Sequence, residues 1–291
     1  MKASWIFFFP LLLPALADSS FLPGTDLAWA PNSGWISFRH DRPSSPDGVV
    51  FGESHLQGLA WSANLGWIDF GDGSPDNGHT YSNTGTDHGV NHDGQGNLSG
   101  FAWCANAGWI QFGWSTPSDP NRPRVDLVTG AFQGYAWSAN TGWLSLGTGL
   151  LTAESMDRPD GDGDGLPDAW EMKHFGNLTT ANATSDADGD GSSDLAESEA
   201  DTVPTDPDSR FRIVSQSHQP TIGTVNLEFT STPSRLYQVE HSQDLGVIQA
   251  WTVTSEGTIA PSPGTQTSGI FSHPPGDIHF FRVRSIVPLQ P

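Results

Sequence analysis

Several residue types that common functions depend on are scarce in this chain. Its single cysteine, Cys104, excludes an intramolecular disulfide. Twelve Lys and Arg residues stand against 33 Asp and Glu, for a formal net charge of −21, so no basic patch is available to meet phosphates. After the N-terminal segment, no apolar run is long enough to span a bilayer. We therefore expect neither nucleic-acid binding nor a membrane span.

Recognisable catalytic motifs are also missing. The sequence contains no G-x-S-x-G elbow, no H-E-x-x-H pair, no P-loop and no dinucleotide fingerprint. Carboxylates are abundant, but sequence spacing alone does not identify a glycosidase pair. The sequence therefore predicts a protein that is not an enzyme.

The N-terminus has the pattern of a secretory signal peptide. Lys2 is followed by an apolar run from Trp5 to Leu16, and Ala15-Leu16-Ala17 fits a cleavage site with small residues. We predict a signal peptide at 1–17 and a destination in the periplasm, at the cell surface or in the medium. An exported protein without disulfides needs another stabilising device, and bound calcium is the obvious candidate.

A tryptophan-rich repeat fills the region 18–150. Its four copies align without gaps: Leu27–Phe38, Leu59–Phe70, Phe101–Phe112 and Tyr135–Leu146. Alternating residues on both sides of Asn64-Leu-Gly66 predict a β-hairpin in each copy. Short apolar segments before copies two to four add a third strand, so each unit is a β-meander. The first copy has Asp26 where the second has Gly58, and we expect it to be a cap. A barrel, a propeller and a sandwich all remain open.

The second strand of each hairpin places one tryptophan on a face whose next residue is polar. These tryptophans are Trp35, Trp67, Trp109 and Trp143. A planar ring beside polar side chains suits carbohydrate binding, because the ring stacks on sugar C–H groups while the polar groups bind hydroxyls. The alternative is that each ring covers a neighbouring repeat.

Two complete twelve-residue calcium-loop patterns, D-x-D-x-D-G-x5-E, occur in the region 151–209. Side-chain ligands are predicted at loop positions 1, 3, 5, 9 and 12, and a backbone carbonyl at position 7. The first loop supplies Asp160, Asp162, Asp164, Leu166, Asp168 and Glu171; the second supplies Asp186, Asp188, Asp190, Ser192, Asp194 and Glu197. The sequence thus predicts two Ca²⁺ sites.

The same region is expected to fold only with its metal. Between Asp157 and Asp208 it holds 15 of the 33 acidic residues against two basic ones, so it repels itself without a cation. Short helices are predicted at Asp168–Gly176 and Asp194–Ala200. A small core of Trp170, Met172, Phe175 and Leu195 is too small to stand alone.

A second cluster of metal-ligating residue types lies in the long insert between copies two and three. It contains His79, Asp87, His88, His92 and Asp93. These residue types suit zinc, yet nothing in their spacing fixes two of them on one face. A metal site and an ordinary polar loop are both compatible with the sequence.

The last region, 210–291, alternates apolar and polar residues around Val225, Tyr237 and Phe281, between turn-rich stretches. This pattern predicts a small antiparallel β-sandwich. The chain as a whole is therefore predicted to be mainly β, with a short EF-hand-like segment carrying two small helices in the middle.

The segments Asp160–Asp168 and Thr205–Asp208 resemble the extracellular calcium repeats of the thrombospondin type 3 and bacterial EF-hand-like kind. The segment Trp170–Thr179 is similar to linkers of secreted multi-module bacterial proteins, and 210–291 is similar to their small fibronectin-like modules. The G-x-A-W-x-x-N-x-G-W-I copies look like a tryptophan repeat of secreted bacterial proteins. The resemblance implies a calcium-binding surface or matrix protein.

The acidic loops differ in two ways from known paired calcium loops, and both differences bear on the expected function. Pro167 and Ser193 occupy loop position 8, where paired EF-hands have an aliphatic residue that bridges the loops, which disfavours a calmodulin-like sensor. Dockerin loops, which bind partner proteins, commonly end in Asp, whereas these end in Glu171 and Glu197. Docking to another protein and a lectin-like role stay open as alternatives, with a polysaccharide or a cell-surface protein as partner.

Overall fold

The structure is a computed structural model, and it describes residues 19–39, 48–247, 250–274 and 279–290. The predicted signal peptide at 1–17 lies outside the described residues. The prediction of a mainly β chain is confirmed, and the ladders that join the described strands are antiparallel.

The tryptophan repeats form short strands connected by tight turns. In chain order the described strands are β1 (Phe21–Ala30), β2 (Gly34–Ser37), β3 (Val49–Phe51), β4 (Leu56–Ser62), β5 (Gly66–Asp69), β6 (Val90–His92), β7 (Leu98–Cys104), β8 (Gly108–Gln111), β9 (Arg124–Val125), β10 (Phe132–Gln133), β11 (Tyr135–Ser138), β12 (Gly142–Ser145) and β13 (Leu151–Ala153).

The repeat copies are the hairpins β1–β2, β4–β5, β7–β8 and β11–β12, and they close into a barrel. The last residue of each hairpin pairs with the first tryptophan of the next: Ser37 with Trp61, Asp69 with Trp103, Gln111 with Trp137, and finally Ser145 with Trp29. The identical register at each junction gives the ring an approximate fourfold symmetry. The pairing of β12 with β1 decides for a barrel over a propeller or a sandwich.

The first copy is not a cap, contrary to expectation. β1 pairs with β2 and β12, and its N-terminal half also pairs with β13, where Asp26 lies opposite Leu151. In the second and third copies, β3 and β6 occupy the corresponding place beside β4 and β7. A strand from the far end of the region thus completes the first unit and joins the ends of the ring.

The barrel interior is filled by small and large residues in successive levels. Alanine from each hairpin forms one level, isoleucine or leucine the next, and phenylalanine or leucine the third: Ala28, Ala60, Ala102, Ala136; Ile36, Ile68, Ile110, Leu144; Phe38, Phe70, Phe112, Leu146. All of these side chains are buried. Because side chains alternate along a strand, the tryptophans between them face outward.

A ring of asparagine amides ties the hairpin turns together. Asn32, Asn64, Asn106 and Asn140 each donate from Nδ2 to a turn carbonyl of the preceding copy, at 3.0, 3.0, 2.8 and 3.1 Å. The buried Cys104 adds a weaker bond from Sγ to the carbonyl of Leu65. The asparagine of the repeat therefore connects neighbouring copies in addition to shaping its own turn.

The middle segment carries the two short helices expected from the sequence, α1 (Asp168–His174) and α2 (Asp194–Ala200). Leu166, Trp170 and Ala181 form a small buried core that Phe175 and Leu195 cover. Met172 was expected in this core but instead lies against Gly78 of the long insert. The segment is therefore packed against the barrel as well as on itself.

The C-terminal region is an antiparallel sandwich of two sheets. Its described strands are β14 (Ile213–Gln219), β15 (Thr224–Thr230), β16 (Leu236–Ser242), β17 (Thr252–Ile259), β18 (Gln266–Ser272) and β19 (Phe280–Ile286). One sheet has the order β14-β15-β18 and the other β17-β16-β19. After β19 the chain returns to the barrel, where Val287 joins the core and the amide of Met156 donates to the carbonyl of Leu289 at 2.9 Å.

Candidate functional sites

The first acidic loop is wrapped around its leading carboxylate. Asp160 accepts from the amides of Gly163 and Gly165 at 2.8 and 3.0 Å, one on each oxygen. The amide of Gly161 donates to Asp168 at 2.7 Å. Gly165, at loop position 6, has a φ of +98°, which a residue with a Cβ rarely adopts. The glycines thus let the chain bend so that backbone amides orient the carboxylates inward.

The second loop repeats this arrangement bond for bond. Asp186 accepts from the amides of Gly189 and Gly191 at 2.8 and 3.0 Å, and the amide of Ala187 donates to Asp194 at 3.2 Å. Gly191 also has a φ of +98°. Because the two sequences differ at most other positions, the shared geometry follows from the shared Asp and Gly spacing.

The predicted side-chain ligands converge to different degrees. In the first loop, oxygens of Asp160, Asp162 and Asp168 lie within 4.8 Å of one another, as do those of Asp162, Asp164 and Glu171. In the second loop the group is Asp186, Asp188 and Asp190. Asp194 is buried and accepts from Ser185 and Ala187 instead. Leu166 and Ser192 follow the position-6 glycines, and the Leu166 side chain is buried in the small core.

The two position-12 glutamates are buried among carboxylates. Glu171 is 0% exposed, and neither of its carboxylate oxygens has a hydrogen-bond partner. Burial, and after it the charges of Asp164 and Asp162, raises the pKa of Glu171 to about 7. Burial likewise raises the pKa of Glu197 to about 7; its Oε1 accepts from Thr202 and its Oε2 has no partner. An all-oxygen set of this kind has the ligand chemistry that a hard divalent cation prefers.

The predicted stacking tryptophans lie on the outer surface of the barrel. Trp35, Trp109 and Trp143 are 48%, 46% and 47% exposed, while Trp67 is half-buried. Each lies directly opposite the first tryptophan of its own hairpin. The two rings meet edge to face in the first three copies, with centroids 4.7–4.8 Å apart. This pairing of the two tryptophans depends on the cross-strand register and was not foreseen from the sequence.

In the fourth copy a further tryptophan lies beside the second tryptophan of the hairpin, as His88 lies beside Trp109 in the third copy. Trp114 lies 5.0 Å from Trp143, centroid to centroid, and its Nε1 donates to the carbonyl of Tyr135 at 2.5 Å. Together with Asn121 these residues line an open apolar groove of about 310 Å³.

The histidines and aspartates of the long insert do not form a common site. Nδ1 of His92 lies 3.0 Å from the carbonyl of Glu53, and its Nε2 accepts from the amide of Gly96. Asp87 accepts from the amide of Ser82, and Asp93 caps the turn before Asn97. The structure thus supports the polar-loop interpretation and does not bring these residues around one metal.

A buried ion-pair network joins the barrel, the acidic segment and the sandwich. Glu53 of the barrel forms ion pairs with Arg158 and Arg235, and the nitrogen–oxygen distance is 2.8 Å in each. Arg235 is 1% exposed and also donates to the carbonyls of Ser198 and Glu199 in α2, at 2.7 and 2.8 Å. Burial alone would raise the pKa of Glu53, but the charges of Arg235 and Arg158 outweigh it and hold the pKa below its usual range. Sequence analysis missed this network because Glu53 and Arg235 are 182 residues apart.

Comparisons with known proteins returned no matching family model, no matching curated protein and no matching solved structure. Among the described residues, no helix is long and apolar enough to cross a membrane.

Proposed function

We propose that this chain is an exported, non-catalytic surface or matrix protein that binds two calcium ions in the segment 151–209. The single observation that supports this best is Glu171, a fully buried carboxylate with no hydrogen-bond partner, close to Asp162 and Asp164. A buried, unpaired carboxylate surrounded by like charges is unfavourable. A divalent cation among these oxygens removes the repulsion and supplies the missing partner.

In this proposal calcium has a structural role, as a staple between two β modules. The second loop leads directly into α2. The carbonyls of Ser198 and Glu199 near the end of α2 accept hydrogen bonds from Arg235 of the sandwich. Arg235 in turn reaches Glu53 of the barrel. Calcium that orders α2 therefore also orders the contact between the modules.

The test is calcium titration of the full chain followed by limited proteolysis. We expect two calcium ions per chain, with dissociation constants of about 10⁻⁴–10⁻³ M, as is usual for extracellular modules. Chelation should make 151–209 the first segment to be cut, while the barrel stays intact. Equal resistance of 151–209 with and without a chelator would contradict the staple, and the absence of calcium uptake would contradict the sites.

Carbohydrate binding is the second candidate function, and the groove of the fourth copy favours it. Trp143 and Tyr135 are 47% and 42% exposed there, and Trp114 and Asn121 complete the lining of an almost wholly apolar groove. Exposed aromatic rings offer the apolar faces on which the C–H groups of a sugar stack.

A glycan and polysaccharide screen, run with calcium and with a chelator, tests this candidate. Binding should be lost in Trp143→Ala and kept in Trp35→Ala, because Trp35 holds the same place in its copy and is 48% exposed. Equal loss in both variants would place the binding surface around the whole ring. No binding to any glycan would remove the candidate.

A further inference from the structure

The sandwich contains a cluster of histidines that neither the calcium sites nor the barrel explains. The sequence from residue 210 onward has four histidines, His218, His241, His273 and His279, and all of them meet at one end of the sandwich. His218 lies near the end of β14 and His241 near the end of β16, while His273 follows β18 and His279 precedes β19. We call these residues the histidine cluster.

The cluster bridges the two sheets. β14 and β18 belong to one sheet, and β16 and β19 to the other. His218 lies opposite the buried Val225, and His241 is two residues after the buried Val239, so both point into the sandwich. The rings therefore extend the core between the two sheets at this end of the sandwich.

The distances within the cluster are close to those of a metal site. Nε2 of His218 is 3.0 Å from Nε2 of His273. Ring centroids are separated by 4.2 Å for His273 and His279, 4.9 Å for His218 and His273, and 5.5 Å for His241 and His279. With Zn–N bonds of about 2.0–2.1 Å, tetrahedral ligand nitrogens lie about 3.3 Å apart and their ring centres about 5 Å apart. The ring centres are thus spaced as in a metal site, but no three ring nitrogens of the cluster lie within 4.8 Å of one another, so the rings must rotate to face one ion.

Several ring nitrogens of the cluster face one another or have no hydrogen-bond partner. Nδ1 of His273 is 2.8 Å from the carbonyl of Pro274, so it carries the hydrogen, and its Nε2 accepts from Nε2 of His218 at 3.0 Å. A metal ion bound at these two nitrogens would take the place of the hydrogen between them. This carbonyl contact is the one that orients most metal-binding histidines. Both ring nitrogens of His279 and Nδ1 of His241 are buried without a partner. A buried, unpaired nitrogen is unfavourable and calls for a ligand.

The surroundings of the cluster select the chemistry of that ligand. The ring of Phe281 forms an apolar wall 5.3 Å from His273. A set of imidazole nitrogens suits a late first-row transition metal and not calcium, which requires oxygen ligands.

We propose that the histidine cluster binds one Zn²⁺ ion, or a similar late transition-metal ion, and that this ion clamps the two sheets of the sandwich together. The site is separate from the calcium loops in sequence and in ligand type. The chain would then use two different metals, each in its own module.

The test is titration of the full chain with Zn²⁺ in millimolar calcium, which keeps the acidic loops occupied. One Zn²⁺ per chain should bind and raise the thermal stability of the sandwich. The double variant His241→Ala/His279→Ala should bind at least about 100-fold more weakly, since loss of even an outer-shell partner costs 10–100-fold. These two positions are chosen because their unpartnered nitrogens make the substitutions least disruptive to the fold.

Two controls separate this site from the others. His88→Ala removes a histidine outside the cluster and should leave zinc binding unchanged, while Glu171→Gln should weaken calcium binding and keep zinc binding. Co²⁺ bound to the unmodified chain gives a readout that does not depend on any variant, because tetrahedral nitrogen ligation produces intense visible absorption bands. No stoichiometric zinc uptake, zinc uptake equal in the double variant, or cobalt without these bands would each overturn the proposal.

Discussion

Substitution of Glu171 by glutamine tests the calcium staple most directly, because the size of its effect should depend on the metal. In the chelated protein Glu171 is buried without a partner, and its pKa stands at about 7 against an ordinary 4.5. At 1.36 kcal/mol for each pKa unit, the ionised side chain destabilises the metal-free segment by about 3 kcal/mol. Glu171→Gln removes this charge, so without calcium we expect the variant to be more stable than the natural chain.

With calcium this advantage of the variant should shrink. At about 10 mM calcium and a dissociation constant of about 10⁻⁴–10⁻³ M, binding stabilises each site by about 1.4–2.7 kcal/mol. An amide supplies one neutral oxygen in place of a carboxylate, so most of this gain should be lost at the first loop. The stabilisation that calcium adds should therefore be smaller for the variant, which keeps only the second loop, than for the natural chain, which has both.

The assay is hydrogen exchange of the segment 151–209, which reports its local free energy of opening. Glu199→Gln is the matched control, because it makes the same charge change at an exposed position of α2. We expect this control to shift the opening free energy by less than about 0.5 kcal/mol in either condition. If Glu171→Gln destabilises the segment equally with and without calcium, Glu171 is a packing residue and the reasoning fails.

Acidity provides an independent check on the same carboxylate. Because the folded-state pKa of Glu171 is raised, the metal-free protein binds more protons than the unfolded chain between pH 4.5 and about 7. The stability of the chelated segment should therefore fall as the pH rises through this window. In Glu171→Gln this slope should be reduced, and an unchanged slope would assign it to other groups.

Three further predictions concern the barrel and the junction. Glu53→Gln should destabilise the chain by roughly 3 kcal/mol in thermal unfolding at pH 7, because Arg235 loses a buried partner. Because the pKa of Glu53 is lowered, the difference in stability between the natural chain and the variant should shrink as the pH falls below 4.5. Asn106→Ala should cost about 1 kcal/mol in urea unfolding, through the lost bond between neighbouring copies; no change would mean that the amide ring contributes nothing. Gly58→Ala should lower the free energy of unfolding by roughly 3 kcal/mol or more, because the new Cβ would lie 2.2 Å from the carbonyl oxygen of Gly48. Gly85→Ala is the control, because its Cβ would have no atom within 4 Å, and it should lower the free energy of unfolding by about 1 kcal/mol.

The sequence by itself determined the features that depend on local spacing. The period of two in Thr224–Thr230 and Leu236–Ser242 places alternate side chains on one face of a strand, so these strands could be predicted. Asn64 and Gly66 marked a hairpin turn, and Gly66 has the positive φ that such a turn needs. The acidic loops were equally predictable, since Asp160 binds amides only three and five residues away.

The tertiary structure alone decided what depends on residues far apart in the chain. Closure of the barrel rests on the pairing of Trp29 with Ser145, and the junction rests on Glu53 and Arg235. The histidine cluster likewise arises because strands of two sheets end at the same place. No local pattern encodes these contacts, because they follow from how whole hairpins and sheets pack to bury their apolar faces. For this reason the sequence predicted the individual strands and loops, whereas the ring, the junction and the histidine cluster appeared only in the folded chain.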